Sequence, residues 1–139
     1  MKTNTCHECG HTAKVYVHKL NQSMVSALKQ LVKHYEATNK PAKLQDDLNL
    51  TQNQYNNFQK LQYFGVVTRD SKGWTPTSLG IWFSYGQALV YDRAATLNGL
   101  PLSLDHEYWL TSAKQPRAVS LNNIGEITYK RAEEYAQGL

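Results

Sequence analysis

Two cysteines, two methionines and no long apolar run set the first limits on this 139-residue chain. No stretch approaches the roughly 18 apolar residues that a membrane helix requires. The opening Met1-Lys2-Thr3-Asn4-Thr5 lacks the apolar segment of a secretory signal, so the expected location is cytoplasmic. The sequence contains no phosphate-cradling glycine loop and no His-Glu-x-x-His pair. Ser103, Asp105 and His106 include triad residue types, but near-neighbours in sequence seldom converge with triad geometry. Asp46-Asp47 and Glu133-Glu134 are consecutive, so on a helix their members point apart into solvent, and His34 falls near the polar edge of its helix. The chain is therefore not expected to be an enzyme. Its length suits one domain of ordinary size, or a compact domain with appendages, and a core that needs neither disulfides nor metal. The apolar fraction of 41% is a little low, and 15 aromatic residues partly compensate.

Arginine is absent from residues 1 to 65, which hold eight lysines against four carboxylates. Residues 66 to 139 hold seven basic and seven acidic groups, so the whole net charge of +4 lies in the first part. A basic face attracts a polyanion over several ångströms. A few extra lysines also serve plain solubility.

What is present divides into three parts. Residues 1–19 read as a Cys-x-x-Cys knuckle followed by a strand, from the alternation Lys14-Val15-Tyr16-Val17-His18. An amphipathic helix is expected from Asn21 to Thr38, with Leu20, Met24, Ala27, Leu28, Leu31, Val32 and Tyr35 on one face. Asn21 caps its start and Asn39-Lys40-Pro41 ends it. Residues 87–119 are less legible. Ala88-Leu89-Val90-Tyr91 and Tyr108-Trp109-Leu110-Thr111 read as strands on either side of an Asn98-Gly99-Leu100-Pro101 turn. On such a strand Tyr108 and Trp109 cannot both face inward. A final helix is expected from Ser120 to Gln137, with Leu121, Ile124, Thr128, Ala132 and Tyr135 as its stripe and Gly138 as its C-cap. Residues 87–139 are neutral overall and suit a dimer or partner contact.

The segment 43 to 80 is the most informative. Lys43 to Leu48 reads as a short helix and Asn49-Leu50-Thr51 as a turn. Thr51-Gln52-Asn53-Gln54 opens a second helix with a capping box. Spacing predicts that this helix buries Tyr55, Phe58 and Leu61, leaving Gln52, Asn53, Asn56, Asn57, Gln59, Lys60 and Gln62 outside. Asn and Gln are mediocre surface helix residues, but each can pair in two places with an adenine edge. Gly65 turns the chain out of this helix. Val66-Val67-Thr68-Arg69 and Trp74-Thr75-Pro76 then read as two strands around Asp70-Ser71-Lys72-Gly73. Thr77 or Ser78 caps a short helix from Leu79 to Tyr85, ended by Gly86. Tyr63, Phe64, Trp74, Trp82, Phe83 and Tyr85 cluster about this hairpin, mostly as core.

The order helix, helix, helix, hairpin, helix over about residues 20–86 resembles a winged helix-turn-helix domain. Gly73-Trp74-Thr75-Pro76-Thr77-Ser78-Leu79-Gly80 looks like the passage from wing to helix in many such regulators, where a Thr caps the helix and a Gly lets it pack closely. Asn56 to Gly65 behind a Cys-rich N-terminus is similar to small, largely uncharacterised bacteriophage proteins. The implied fold is mainly α with a β-hairpin wing, an α+β arrangement. The implied function is sequence-selective binding of duplex DNA by a phage or bacterial transcriptional regulator. Gln52, Asn53, Asn56 and Lys60 would reach base edges, Thr51 a phosphate, and Arg69 and Lys72 the backbone or minor groove. An arginine-free helix with sparse charge suggests weak monomer affinity and a homodimer. The alternative is a protein-binding module of the same fold that acts on a host complex.

Cys6 and Cys9, followed by Gly10, form the turn that points two thiolates at one position, which suits zinc. His11 and His18 are the candidates to complete the site, since His7 is awkwardly adjacent to Cys6. A plain reduced turn is the second reading. A redox pair is the third, although the βαβ context it wants is missing.

Overall fold

The computed structural model describes residues 3–5 and 12–129 of the chain. It is an α+β fold whose strands form small antiparallel sheets. Its central element is α1 (Gln22–Thr38). Asn21 accepts the Met24 N–H at 2.9 Å and so caps the first turn, while Asn39 ends the helix at a φ of 55°. Met24, Val25, Ala27, Leu28, Leu31 and Val32 are all buried along it. Tyr35, expected in that stripe, is only half-buried.

Around α1 stand α2 (Leu44–Asp47), α3 (Gln52–Asn57), a 3-10 helix (Phe58–Phe64) and α4 (Ser78–Ser84). The hairpin of β3 (Val67–Asp70) and β4 (Gly73–Pro76) turns at Ser71-Lys72, so Asp70 and Gly73 belong to the strands. Ala42 bridges to Trp74 through two backbone hydrogen bonds of 2.8 and 2.9 Å, tying the entry to α2 to the hairpin. Phe58, Leu61, Phe64, Val66, Val67, Trp74 and Phe83 complete one core with α1. Of the aromatic cluster, Trp82 and Tyr85 face outward, 56% and 55% exposed.

The remaining strands join the two ends of the described chain. β1 (Thr3–Thr5) pairs with β2 (Thr12–Lys19). β2 also pairs along its length with β6 (Arg93–Leu97), which turns through Asn98-Gly99 into β7 (Leu100–Pro101). β5 (Val90–Tyr91) pairs with β8 (Ala118–Leu121), and β8 with β9 (Ile127–Thr128). Val90, Val119 and Leu121 reach the α1 core, whereas Val15, Ala95 and Trp109 form a separate, smaller one.

Three expectations are corrected here. Residues 108–111 do not form a strand, because α5 (Glu107–Leu110) places Trp109 inward and leaves Tyr108 half-buried against it. Ala88 and Leu89 precede β5 rather than extending it. No helix starts at Ser120: the Asn122 Oδ1 accepts the Ile124 and Glu126 N–H groups, and Gly125, at a φ of 82°, closes a turn between β8 and β9. The 130–137 part of that expected helix lies outside the described residues. Among the described residues, no helix is long and apolar enough to cross a membrane.

Candidate nucleic-acid interface

The capping box at Thr51 forms as its residue types require. The Thr51 Oγ1 accepts the Gln54 N–H at 3.1 Å, and the Gln54 Oε1 accepts the Thr51 N–H at 2.9 Å. The other end of the Gln54 amide donates to the Ser23 carbonyl at 3.1 Å, so a residue only 8% exposed fixes α3 to the first turn of α1.

That anchor changes which side of α3 faces inward. Tyr55, expected to be buried, is 38% exposed, and its hydroxyl accepts from the Gln45 Nε2 at 3.3 Å. The inward line is Gln54, Phe58, Leu61 and Phe64. Its spacing passes from four residues to three because the helix tightens from α to 3-10 at Phe58. The expected single helix from 51 to 63 is therefore two segments of different pitch.

The amide face is exposed and paired within itself. Gln52 Nε2 donates to Asn56 Oδ1 at 2.9 Å, and Asn57 Nδ2 donates to Asn53 Oδ1 at 2.6 Å and to its carbonyl at 2.9 Å. Between α2, α3 and the hairpin lies an open cleft of about 520 Å3. Asn56, Arg69 and Lys72 line it together, joined by Lys43, Tyr55 and Gln59. The guanidinium of Arg69 lies 5.5 Å from the Trp74 ring centre, a cation–π distance that steadies it over a buried support. The Asp70 Oδ1 accepts the Lys72 and Gly73 N–H groups at 2.8 and 3.2 Å, which fixes the hairpin tip carrying Lys72. Three cations thus border the cleft against the carboxylates of Asp46 and Asp70.

Lys60 stands apart from this group. It is half-buried beside His18, whose ring stacks on Tyr63 at 4.9 Å and shares a hydrogen bond with Thr96 Oγ1 at 3.0 Å. Burial, and then the nearby Lys60 charge, hold the His18 pKa below its ordinary value. Of the residues considered for zinc, His18 is thus a member of the β2–β6 sheet face, and Cys6, Cys9 and His11 lie outside the described residues. Ser103, Asp105 and His106 serve a local turn: the Ser103 hydroxyl donates to Asp105, and His106 Nδ1 accepts the Tyr108 N–H at the start of α5. Sequence reasoning missed Lys43, Tyr55 and Gln59 as cleft residues. The Gln54 anchor that turns Tyr55 outward leaves no mark in apolar spacing.

Comparison with protein-family models, curated proteins and solved structures finds no match for the chain.

Proposed function

We propose that this protein binds duplex DNA through the cleft between α3 and the β3–β4 hairpin, in a winged helix-turn-helix arrangement, as a regulator of transcription. The observation that carries this reading is the convergence of amides and cations on one cleft: Asn56 and Gln59 from the helical side, Arg69 and Lys72 from the hairpin. The bridge from Ala42 to Trp74 supports it, because it ties the entry to α2, on one side of the cleft, to the hairpin on the other. Asn56 and Gln52 exchange their mutual hydrogen bond for base edges at little cost, since both are already solvated. Arg69, Lys72 and Lys43 hold phosphates. Three cations offset by two carboxylates give a single copy little affinity, which favours a homodimer spanning two half-sites.

Fluorescence anisotropy with duplex pools at several salt concentrations tests the proposal. Arg69→Gln with Lys72→Gln weakens binding to all sequences and lowers the salt slope by about two. Asn56→Ala changes sequence preference instead. Absence of duplex binding at low salt sinks the proposal. A protein-binding role is the second reading, favoured by the exposed Trp82 on α4 and Tyr85 at its C-cap, since aromatics of this kind are enriched at protein interfaces.

A further inference from the structure

At one end of the β2–β6 ladder, Lys19 and Arg93 are directly opposed on neighbouring antiparallel strands. Like charges in that position destabilise a sheet. Their surroundings add charge of the same sign: both line a cleft of about 650 Å3 that also holds Lys114 and Arg117. Among the described residues, the carboxylate facing these four cations is Asp92, which is buried. Asp92 is a corner of the fold. Its N–H donates to the Arg117 carbonyl and its carbonyl accepts the Leu20 N–H, both at 2.8 Å, where the chain passes from the β8 ladder to the β2 ladder. Both carboxylate oxygens are engaged by neutral donors, the Arg117 N–H at 2.8 Å and the Tyr129 hydroxyl at 2.7 Å. The Arg117 guanidinium lies over the Tyr129 ring, 4.1 Å from its centre, and that ring is fixed by its hydroxyl bond to Asp92. A restrained guanidinium, a second arginine and two lysines around an open cleft form an arrangement that recognises a compact anion of high charge.

We propose that this cleft binds a phosphate group, carried by an oligophosphate, a nucleotide or a nucleic-acid backbone. The site is separate from the α3–hairpin cleft. Arg93 begins β6, whereas the β6–β7 turn beside the hairpin lies at its other end, about 13 Å along the strand. Bound phosphate relieves the Lys19–Arg93 repulsion and brings the neutral C-terminal half of the chain into ligand recognition.

The test is a titration of inorganic pyrophosphate into the ¹⁵N-labelled full chain at low salt, followed by NMR. Saturable shifts are expected at amides 92–93, 112–115 and 117 and at the Arg93 and Arg117 guanidinium groups. Arg117→Gln uncovers the Tyr129 ring beside a buried carboxylate and risks local misfolding, so the deciding variant is Lys19→Gln with Lys114→Gln, both exposed and free of that contact. It binds pyrophosphate at this cleft roughly tenfold more weakly, whereas Arg69→Gln with Lys72→Gln leaves the titration of amides 92–93 and 112–115 unchanged. Absence of saturable shifts, or equal affinity in the Lys19/Lys114 variant, overturns the proposal. Competition then assigns the source: displacement by ATP alone marks a nucleotide, displacement by a short duplex marks a nucleic-acid backbone, and displacement by neither marks inorganic oligophosphate.

Discussion

Gly80 sits where α4 crosses the chain entering β3 so closely that a Cβ would lie 2.0 Å from the Val66 carbonyl oxygen. That oxygen already accepts the Thr77 N–H at 3.0 Å, and the Thr77 hydroxyl both caps Gly80 and donates to the Gly65 carbonyl at 2.6 Å. The passage has no slack. Gly80→Ala is expected to cost about 3 kcal/mol, in the range of overpacked cores, measured by chemical denaturation; a loss within experimental error contradicts the close approach. His18 gives a second test. Its folded pKa is lowered, so between that value and the ordinary 6.5 the unfolded chain binds more protons than the folded one. Its contribution is fully present above pH 6.5 and is lost as pH falls through the folded pKa. The Lys60 charge and the Tyr63 ring are its neighbours. Melting temperature should therefore fall less steeply from pH 7 to 5 in His18→Gln than in the parent, and equal slopes exclude His18 as a source.

Elements that announce themselves locally were legible in the sequence. The long apolar stripe of α1, the capping box of α3, the Thr77 cap of α4 and the Asp-Ser-Lys-Gly turn all depend on neighbours in sequence, and all form. Elements made by distant partners were not. β6 contains Ala94-Ala95 and becomes a strand by pairing with β2, about 78 residues earlier in the chain. In β8, Val119, Ser120 and Leu121 are all buried, so the alternation that marks a half-exposed strand is missing. The spacing of Leu121, Ile124 and Thr128 imitates a helix, although Ile124 lies in a turn and is largely exposed. α5 is a single turn, too short for any period to show. For the candidate site, the amide face and the hairpin cations were readable, but their rotation depends on Gln54, a polar residue used as an inward anchor. Gln54→Ala removes the bond to Ser23 and half of the capping box, and should cost about 1–3 kcal/mol. If Gln54 sets the rotation, duplex affinity falls with it, while Thr51→Ala, which keeps the Ser23 bond, changes stability more than affinity.

Two unequal cores organise the molecule. The larger lies between α1, the 3-10 helix, the hairpin and β8, and it supports the cleft proposed for DNA. The smaller consists of Val15, Ala95 and Trp109, with Leu97, Leu102 and Tyr108 at its edge, and it holds the β2–β6–β7 sheet against α5. Trp109, 2% exposed, is the one large side chain fully buried in that smaller group. Truncating it leaves Val15 and Ala95 without a cover, and losses of about 3–5 kcal/mol accompany such Trp-to-Ala changes. Because the two cores share few side chains, the damage should be uneven. In Trp109→Ala, hydrogen exchange should accelerate at the amides of β2, β6 and β7 while those of α1 stay protected, and the salt slope of duplex binding should be unchanged. The arginine-lined cleft at the Lys19–Arg93 end depends on the same sheet, so pyrophosphate affinity should fall in this variant even though no ligand-facing charge is altered. Uniform acceleration of exchange through α1 and the sheet together would mean that the cores unfold as one, and that the two clefts cannot be separated by this substitution.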